Sequence, residues 1–162
     1  MQIRKARYED LDEIMEIYEA ARAFMVKTGN PNQWAARNWP PRWLIERDME
    51  QGKSYVCQEE DILAVFFYDY GEKVEPCYEA IDDGSWIGED TYGVVHRIAA
   101  RAGTGAGKFC IDWAYRQNGH LRIDTHGDNK VMQKVLMNMG FTQCGIIYVN
   151  EDHDPRIAYE KT

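Results

Sequence analysis

The part of this sequence best suited to chemistry is a short run of glycines. Gly103, Gly105 and Gly107 alternate with other residues in the segment Gly103-Thr104-Gly105-Ala106-Gly107-Lys108. Glycines let backbone N–H groups approach a ligand closely, and successive N–H groups in such a turn form an anion-binding concavity. A helical pattern begins near Gly107, so the positive end of a helix dipole would lie beside the same anion. The turn therefore predicts a phosphate site, with a plain strand-to-helix turn as the alternative.

Two common nucleotide-binding motifs do not fit this turn. A P-loop requires the pattern G-x-x-x-x-G-K-S/T, but Phe109 follows Lys108. A dinucleotide fingerprint, G-x-G-x-x-G, would need glycine where Lys108 or Cys110 stands. A nucleotide-binding domain of another kind stays open as a weaker reading.

Several elements around the turn would hold it in place. The apolar run from Val94 to Ala100 predicts a strand before it, and residues 109–117 have a helical pattern after it. A second strand is predicted at 121–124, and the polar loop 125–129 leads into a helix that ends near Gly140. A strand, a helix and a second strand in this order predict a parallel pair of strands.

This region resembles the GNAT superfamily, the GCN5-related N-acetyltransferases, in three places. The strand 96–100 with the turn 103–108 is similar to the family's acyl-CoA pyrophosphate loop, Q/R-x-x-G-x-G/A. Residues 122–129 are similar to its fifth strand and following loop. Met139-Gly140-Phe141, followed by residues 144–148, is similar to the turn that enters its sixth strand.

The resemblance implies that the co-substrate is acetyl-CoA. Its pyrophosphate would lie on the amides of the glycine turn, and an amide near the end of the fourth strand would polarise the thioester carbonyl. Ala102 stands where the family has Gln or Arg, and Arg101, one place earlier, could reach the same phosphates. Asn129 matches an asparagine that meets the pantetheine arm, although a helix N-cap is an equal alternative. The residues assigned to the coenzyme are Ile98, Ala99, Ala100, Arg101, Gly103, Thr104, Gly105, Ala106, Gly107, Lys108 and Asn129.

The same chemistry needs a base that takes a proton from the attacking amine. His96 is one candidate, because a free imidazole titrates at about pH 6.5. Strand alternation groups it with Val94 and Ile98, so it could instead face the core. Glu79 is the rival base, acting directly or through a water.

The leaving thiolate must also regain a proton. The family's usual acid is a tyrosine four residues before the Gly-Phe pair, and that position is Leu136 here. Tyr148 or Cys144 would have to substitute, or the thiolate leaves unassisted or takes a proton from water.

An unusual cluster of tryptophans precedes the second helical pattern. Trp34, Trp39 and Trp43 lie within ten residues of one another, and such side chains suit either a packed loop or the wall of a pocket. In the GNAT family the segment after the first helix borders the acceptor site. By that resemblance we assign Trp34, Trp39 and Tyr78 to the acceptor pocket.

Bulk composition sets further limits. The net charge of −8 argues against nucleic acid as a partner, and no apolar run approaches the ~18 residues of a membrane helix. The start of the chain lacks the apolar core of a signal peptide. The four cysteines are scattered without C-x-x-C pairs, which favours a reducing cytoplasm over disulfides or a zinc site. His126 and Asp128 lack a third ligand at a metal-like spacing, and His120 is expected to be solvated.

Together these patterns predict a single domain over residues 1–162 with an α/β (mixed α+β) GNAT-like fold. We expect a mixed, largely antiparallel sheet of six to seven strands, with strands four and five parallel, flanked by about four helices. Remaining strands are predicted at 2–6, 54–58, 62–70, 142–149 and 156–160, and remaining helices at 9–27 and 41–50.

The function that follows is acyl-CoA-dependent N-acyl transfer. We expect acetyl to pass from acetyl-CoA to a primary amine by direct attack in a ternary complex, without a metal. The acceptor is a small molecule or a peptide, and a homodimer fits the family. Leu136 favours an alternative, a non-catalytic module that binds or senses acyl-CoA.

Overall fold

The computed structural model describes residues 1–149 and 153–162, and within these ranges it contains seven strands and four α-helices. Residues 150–152, between the predicted strands 142–149 and 156–160, lie outside the described residues. The strands are β1 (Gln2–Lys5), β2 (Ser54–Gln58), β3 (Ile62–Glu72), β4 (Thr91–Ala100), β5 (Leu121–His126), β6 (Thr142–Tyr148) and β7 (Pro155–Lys161).

The helices are α1 (Leu11–Lys27), α2 (Arg42–Glu50), α3 (Ala106–Asn118) and α4 (Lys130–Asn138). Each begins close to its predicted start, and the one difference in kind is that residues 8–10, before α1, form a 3₁₀ turn. Pro41 stands at the N-cap of α2, where its missing N–H has no consequence. Within the described ranges, no helix combines the length and the apolar character that crossing a bilayer requires.

All seven strands form one sheet in the order β1-β2-β3-β4-β5-β7-β6. Neighbouring strands are antiparallel except for β4 and β5, which are parallel. The predicted fold, including its parallel central pair, is therefore confirmed. The connection between the parallel strands is the glycine turn and α3.

The parallel pair separates soon after it forms. Within the described residues, β4 and β5 pair only at Gly93 with Leu121 and at Val94 with Arg122. Beyond that point β4 stays paired with β3 as far as Ala100, and β5 stays paired with β7 as far as His126. Because each strand keeps its outer partner, a gap opens through the middle of the sheet at the carboxyl ends of both strands.

Each face of the sheet is covered by different helices. On one face, α3 and α4 pack through Cys110, Ile111 and Leu136 against Phe66 and Ile123 of the strands. On the other face, α1 and α2 pack against β2 and β3. These two apolar layers account for most of the buried side chains, as expected from the area-dependence of hydrophobic stabilisation.

The α1 face of the sheet continues under an irregular segment, residues 73–90. Tyr78, Ile81 and Trp86 of this segment pack on Tyr92 and Val94 of β4. The segment contains a 3₁₀ turn at Pro76–Tyr78. It therefore brings side chains from before β4 over the place where β4 and β5 separate.

Candidate active site

The gap between β4 and β5 is a cleft of about 130 Å³. It receives side chains from both strands, from the segment before β4, from the tryptophan-rich loop and from the start of α4. Polar and aromatic groups line most of it. Its lining includes Met25, Gln33, Trp34, Trp39, Glu75, Tyr78, His96, Arg97, Ile98, Asp124, Thr125, Asn129 and Met132.

His96 and Glu75 form the central polar pair of this cleft. Nε2 of His96 lies 2.7 Å from Oε2 of Glu75. The other carboxylate oxygen, Oε1, accepts a hydrogen bond from the backbone amide of Cys77 at 3.2 Å, because Glu75 caps the 3₁₀ turn that follows it. Burial acts to raise the pKa of Glu75, but the hydrogen bond and charge interaction with His96 outweigh it and lower the pKa to about 2. Glu75 is therefore a carboxylate that orients the imidazole at neutral pH.

A second carboxylate approaches the opposite side of the imidazole. Nδ1 of His96 lies 3.7 Å from Oδ2 of Asp124, and the Tyr78 hydroxyl donates to the same oxygen at 2.6 Å. Burial raises the pKa of Asp124, and the nearby charge of His96 acts against that increase. The backbone carbonyl of Tyr78 accepts from Nε1 of Trp86 at 2.7 Å, which fixes the tyrosine over the cleft.

A bulge interrupts β4 directly after His96. His96 pairs with Phe67 and Ala99 pairs with Val65, so two residues of β4 oppose one residue of β3. Arg97 accordingly adopts a left-handed conformation with φ of 50°. Such a bulge takes backbone groups out of the regular ladder, here at Arg97 and Ile98, which both line the cleft.

The glycine turn has the backbone conformation that its sequence predicts. Gly103 and Gly105 both have φ of 75°, a region open to glycine, and a Cβ at either position would meet no atom within 4 Å. In the described part of the chain, the amides of Gly103, Gly105, Gly107 and Lys108 donate to no protein acceptor. Two of these belong to the first turn of α3, where helical amides lack intrahelical partners. The turn can therefore hold an anion.

A second cavity of about 220 Å³, the apolar channel, lies between α1, α4 and the end of β4. It meets the first cleft at Met25, Ile98, Asn129 and Met132, which line both spaces. Its wall includes residues 98–102, so it also reaches the start of the glycine turn. A long, thin ligand could extend from the turn through this channel to His96.

Asn129 serves as the N-cap of α4 and stands where the two spaces join. Its Oδ1 accepts from the amide of Met132 at 3.0 Å, and its Nδ2 donates to Oε1 of Gln33 at 3.0 Å. The same Gln33 oxygen accepts from Asn30. The capping role suggested by the sequence is therefore present, and the contact with a pantetheine arm stays a prediction.

The structure brings most of the predicted residues together. Trp34 and Trp39 lie in the cleft wall with Tyr78. His96 also faces the cleft. The alternative from strand alternation, that His96 faces the core, is not what the structure has. Ile98 lines both spaces, and Ala99 and Ala100 line the apolar channel.

Other predicted residues lie elsewhere. Glu79 is exposed and lies outside the cleft lining, four residues from the glutamate that does contact His96. Tyr148 is also outside it and 50% exposed at the end of β6. Arg101 does line the apolar channel, but its side chain donates to the carbonyl of Ile62 at 2.8 Å and pairs with Glu13 at 3.4 Å, so its guanidinium points toward β3 and α1. Leu136, on the inner face of α4, is fully buried in the core.

The sequence analysis did not single out Glu75, Gln33, Asp124 or Thr125 as site residues. One available signal for Asp124 was a carboxylate between two buried strand residues, Ile123 and Thr125. Glu75 had a weaker signal, because an acidic residue before Pro76 is typical of a helix cap. Nothing local distinguished Gln33 or Thr125 from ordinary polar residues.

The sequence analysis expected His120 to be solvated, and this was wrong. His120 belongs to a buried polar cluster behind the site. Its Nε2 lies 2.6 Å from Glu160, which also accepts from Arg122 at 2.8 Å. Glu160 further accepts from the amides of Ile87 and Gly88. Burial acts to raise the pKa of Glu160, but the hydrogen bonds from His120 and Arg122 outweigh it and lower the pKa. The cluster anchors the segment that carries Trp86 and Tyr78.

The arrangement can therefore do two kinds of chemistry. An imidazole held by a carboxylate can take a proton from a nucleophile in the cleft. A glycine turn with unpaired amides at a helix N-terminus can hold a phosphate group. An apolar channel connects the two sites.

No protein-family model matches the sequence, and no protein of curated function matches it either. Solved structures do match. The chain is similar to a GNAT-family acetyltransferase from Streptococcus agalactiae, with 30% identity over 99% of this chain and 94% of that one, and a TM-score of 0.87. It shares its fold with a GNAT-family acetyltransferase from Listeria monocytogenes, with 16% identity, 99% and 93% coverage and a TM-score of 0.69. It also shares it with a ribosomal-protein-alanine N-acetyltransferase from Brucella melitensis, with 14% identity, 99% coverage of both chains and a TM-score of 0.65.

Proposed function

The chain belongs to the GNAT family of acetyltransferases, and from that premise we propose that it transfers acetyl from acetyl-CoA to a primary amine. The transfer occurs by direct attack of the amine while both substrates are bound. The observation that carries this proposal is the His96–Glu75 pair, 2.7 Å apart, in the gap where β4 and β5 separate. A base oriented by a carboxylate is what deprotonation of an amine requires.

The residues present fit acetyl-CoA at one end through the glycine turn. Its unpaired amides, at the N-terminus of α3, suit the diphosphate. Lys108 is exposed beside them and adds positive charge. The apolar channel between α1 and α4 suits the pantetheine arm, and the thioester supplies the activated acetyl group when the co-substrate is bound.

The bulge in β4 gives the cleft a candidate oxyanion site. Backbone groups at Arg97 and Ile98 are released from the regular ladder there. The Tyr18 hydroxyl donates a hydrogen bond to the Arg97 carbonyl at 2.7 Å, and the Arg97 side chain forms an ion pair with Asp48 at 2.8 Å. These contacts hold the bulge rigid, so an amide beside it can polarise a carbonyl without rearrangement.

His96 takes the proton from the attacking amine, and Glu75 stabilises the imidazolium that results. The nitrogen that receives the proton is Nδ1: Nε2 is paired with Glu75, whereas Nδ1 lies 3.7 Å from Oδ2 of Asp124, beyond hydrogen-bond distance. The aromatic walls, Trp34 and Trp39, exclude water from the reacting amine. The Brucella protein is named as an enzyme that acts on a protein alanine, but at 14% identity it shares only a fold with this chain and assigns no acceptor.

Release of CoA should be followed with a panel of primary amines: an amino acid, an amine-bearing antibiotic, a peptide with a free N-terminus and a lysine-containing peptide. We expect turnover with at least one class of amine. When both substrates are varied, double-reciprocal plots of the initial rate should give intersecting lines, because the substrates bind together. Parallel lines would contradict direct transfer. The matched variants are His96→Gln, which should lose turnover, and Glu79→Gln, which should keep it.

The buried Leu136 favours a second candidate function, a non-catalytic acyl-CoA binding module. The family's tyrosine is absent from that position, so a usual proton donor is lacking. Tight binding of acetyl-CoA without turnover on any amine of the panel would favour this alternative. Turnover with wild-type protein would remove it.

A further inference from the structure

Thr125 carries a buried hydroxyl that the fold itself leaves without a partner. The residue is 1% exposed, and its Oγ1 has no hydrogen-bond partner among the described residues. Buried hydroxyls are normally hydrogen-bonded, because an unsatisfied one loses its interaction with water and gains nothing in return. Thr125 lines the cleft, so its hydroxyl can be satisfied by something bound there.

The cleft passes through the sheet, and Thr125 lies on the opposite side from the base. Successive side chains of a strand point to opposite faces, so Thr125 shares a face of β5 with Ile123. Ile123 packs in the same cluster as Leu136 of α4. Asp124, between them, points to the other face and meets Tyr78 and His96.

This side is also where the apolar channel enters. Asn129 and Met132, at the start of α4, line both the channel and the cleft, and Thr125 lies just before α4 at the end of β5. A thioester that reached the cleft through the channel would therefore bring its sulfur to the α4 side. The amine would meet the carbonyl from the side of His96.

We propose that the Thr125 hydroxyl donates a hydrogen bond to the sulfur that leaves during acetyl transfer. The inference rests on the proposed function, and it supplies the stabilisation that Leu136 cannot. The C–N bond forms and the C–S bond breaks. The proton of the amine passes to His96, and the sulfur departs as a thiolate that later takes a proton from water. Thr125 keeps its own proton throughout.

The first test compares Thr125→Val, which keeps the shape of the side chain, with Thr125→Ser, which keeps the hydroxyl. A hydrogen bond to a charged group corresponds to about a 10- to 100-fold change in rate. We expect Thr125→Val to lower kcat by that factor with little change in KM for acetyl-CoA. Thr125→Ser should retain most of the activity. Equal kcat values for Thr125→Val and wild type would overturn the proposal.

Stability provides an independent check on folding. Since the hydroxyl has no protein partner, its removal should leave the midpoint of denaturant unfolding unchanged or raise it. A clear decrease in the midpoint for Thr125→Val, restored by Thr125→Ser, would show that the hydroxyl serves the fold and would overturn the proposal.

A binding measurement distinguishes a contact with the sulfur from a contact with the rest of the coenzyme. Calorimetric titration should show that wild-type protein binds CoA more tightly than desulfo-CoA, which lacks the sulfur, and that Thr125→Val loses this preference. If Thr125→Val weakens the binding of CoA and of desulfo-CoA equally, the hydroxyl contacts the pantetheine arm and not the sulfur. That result would refute the inference while leaving the proposed function intact. If wild-type protein binds neither ligand, the proposed function fails and this inference falls with it.

Discussion

Replacing Glu75 by glutamine should remove a pH dependence from the stability of the protein. The pKa of Glu75 is about 2 in the folded protein, against an ordinary value of 4.5. Because the folded-state value is the lower one, the carboxylate stabilises the fold above about pH 4.5. This contribution decreases as the pH falls from 4.5 toward 2, since the unfolded chain then binds the proton more readily.

The magnitude follows from the two pKa values. At about 1.4 kcal/mol per pH unit, the difference corresponds to about 3 kcal/mol at neutral pH. About 2 kcal/mol of this should be lost between pH 7 and pH 3. The Glu75 side chain is 21% exposed, so screening by solvent reduces the effect only in part.

Urea unfolding at pH 7, 5, 4 and 3 would measure this change. The free energy of unfolding of wild type should exceed that of Glu75→Gln at pH 7, and the difference should shrink toward pH 3. Glu79→Gln is the matched control, because Glu79 is exposed outside the cleft, and it should follow wild type throughout. A difference between wild type and Glu75→Gln that stays constant from pH 7 to pH 3 would refute the reasoning.

Three further predictions concern the base, the turn and the buried cluster. His96→Gln should lower kcat by about 10²- to 10⁴-fold while the Kd for acetyl-CoA stays near that of wild type, as measured by steady-state kinetics and calorimetry. Gly105→Ala should lower stability by about 1 kcal/mol and weaken CoA binding, because φ of 75° disfavours a side chain. Gly107→Ala, whose Cβ would lie 3.6 Å from Ala100, should fold normally in the same unfolding assay. Glu160→Gln should destabilise the fold by about 3 kcal/mol or more, seen in chemical denaturation, since it leaves Arg122 buried without its carboxylate.

Local patterns in the sequence predict the sheet and the glycine turn well, because both depend on neighbours along the chain. The glycine turn is fixed by residues 103–107 alone, and the parallel pair follows from one strand–helix–strand unit. The bulge at Arg97 is different, since it depends on how β4 aligns with β3. The residue pattern within β4 does not by itself predict the bulge.

The residues missed in the site all depend on long-range packing. Glu75 meets His96 only because residues 73–90 fold back over β4, and that segment is anchored by Glu160 near the other end of the chain. Thr125 is informative only because the fold buries its hydroxyl without a partner. His120 looks like a turn residue until β7 brings Glu160 beside it.

The most direct measurement is a single turnover with protein in excess over radiolabelled acetyl-CoA, sampled with and without the best amine of the panel. We expect the label to move to the amine without accumulating on the protein, and to stay on the coenzyme when the amine is absent. Acetylated protein, or CoA released at the same rate without amine, would contradict direct transfer at His96.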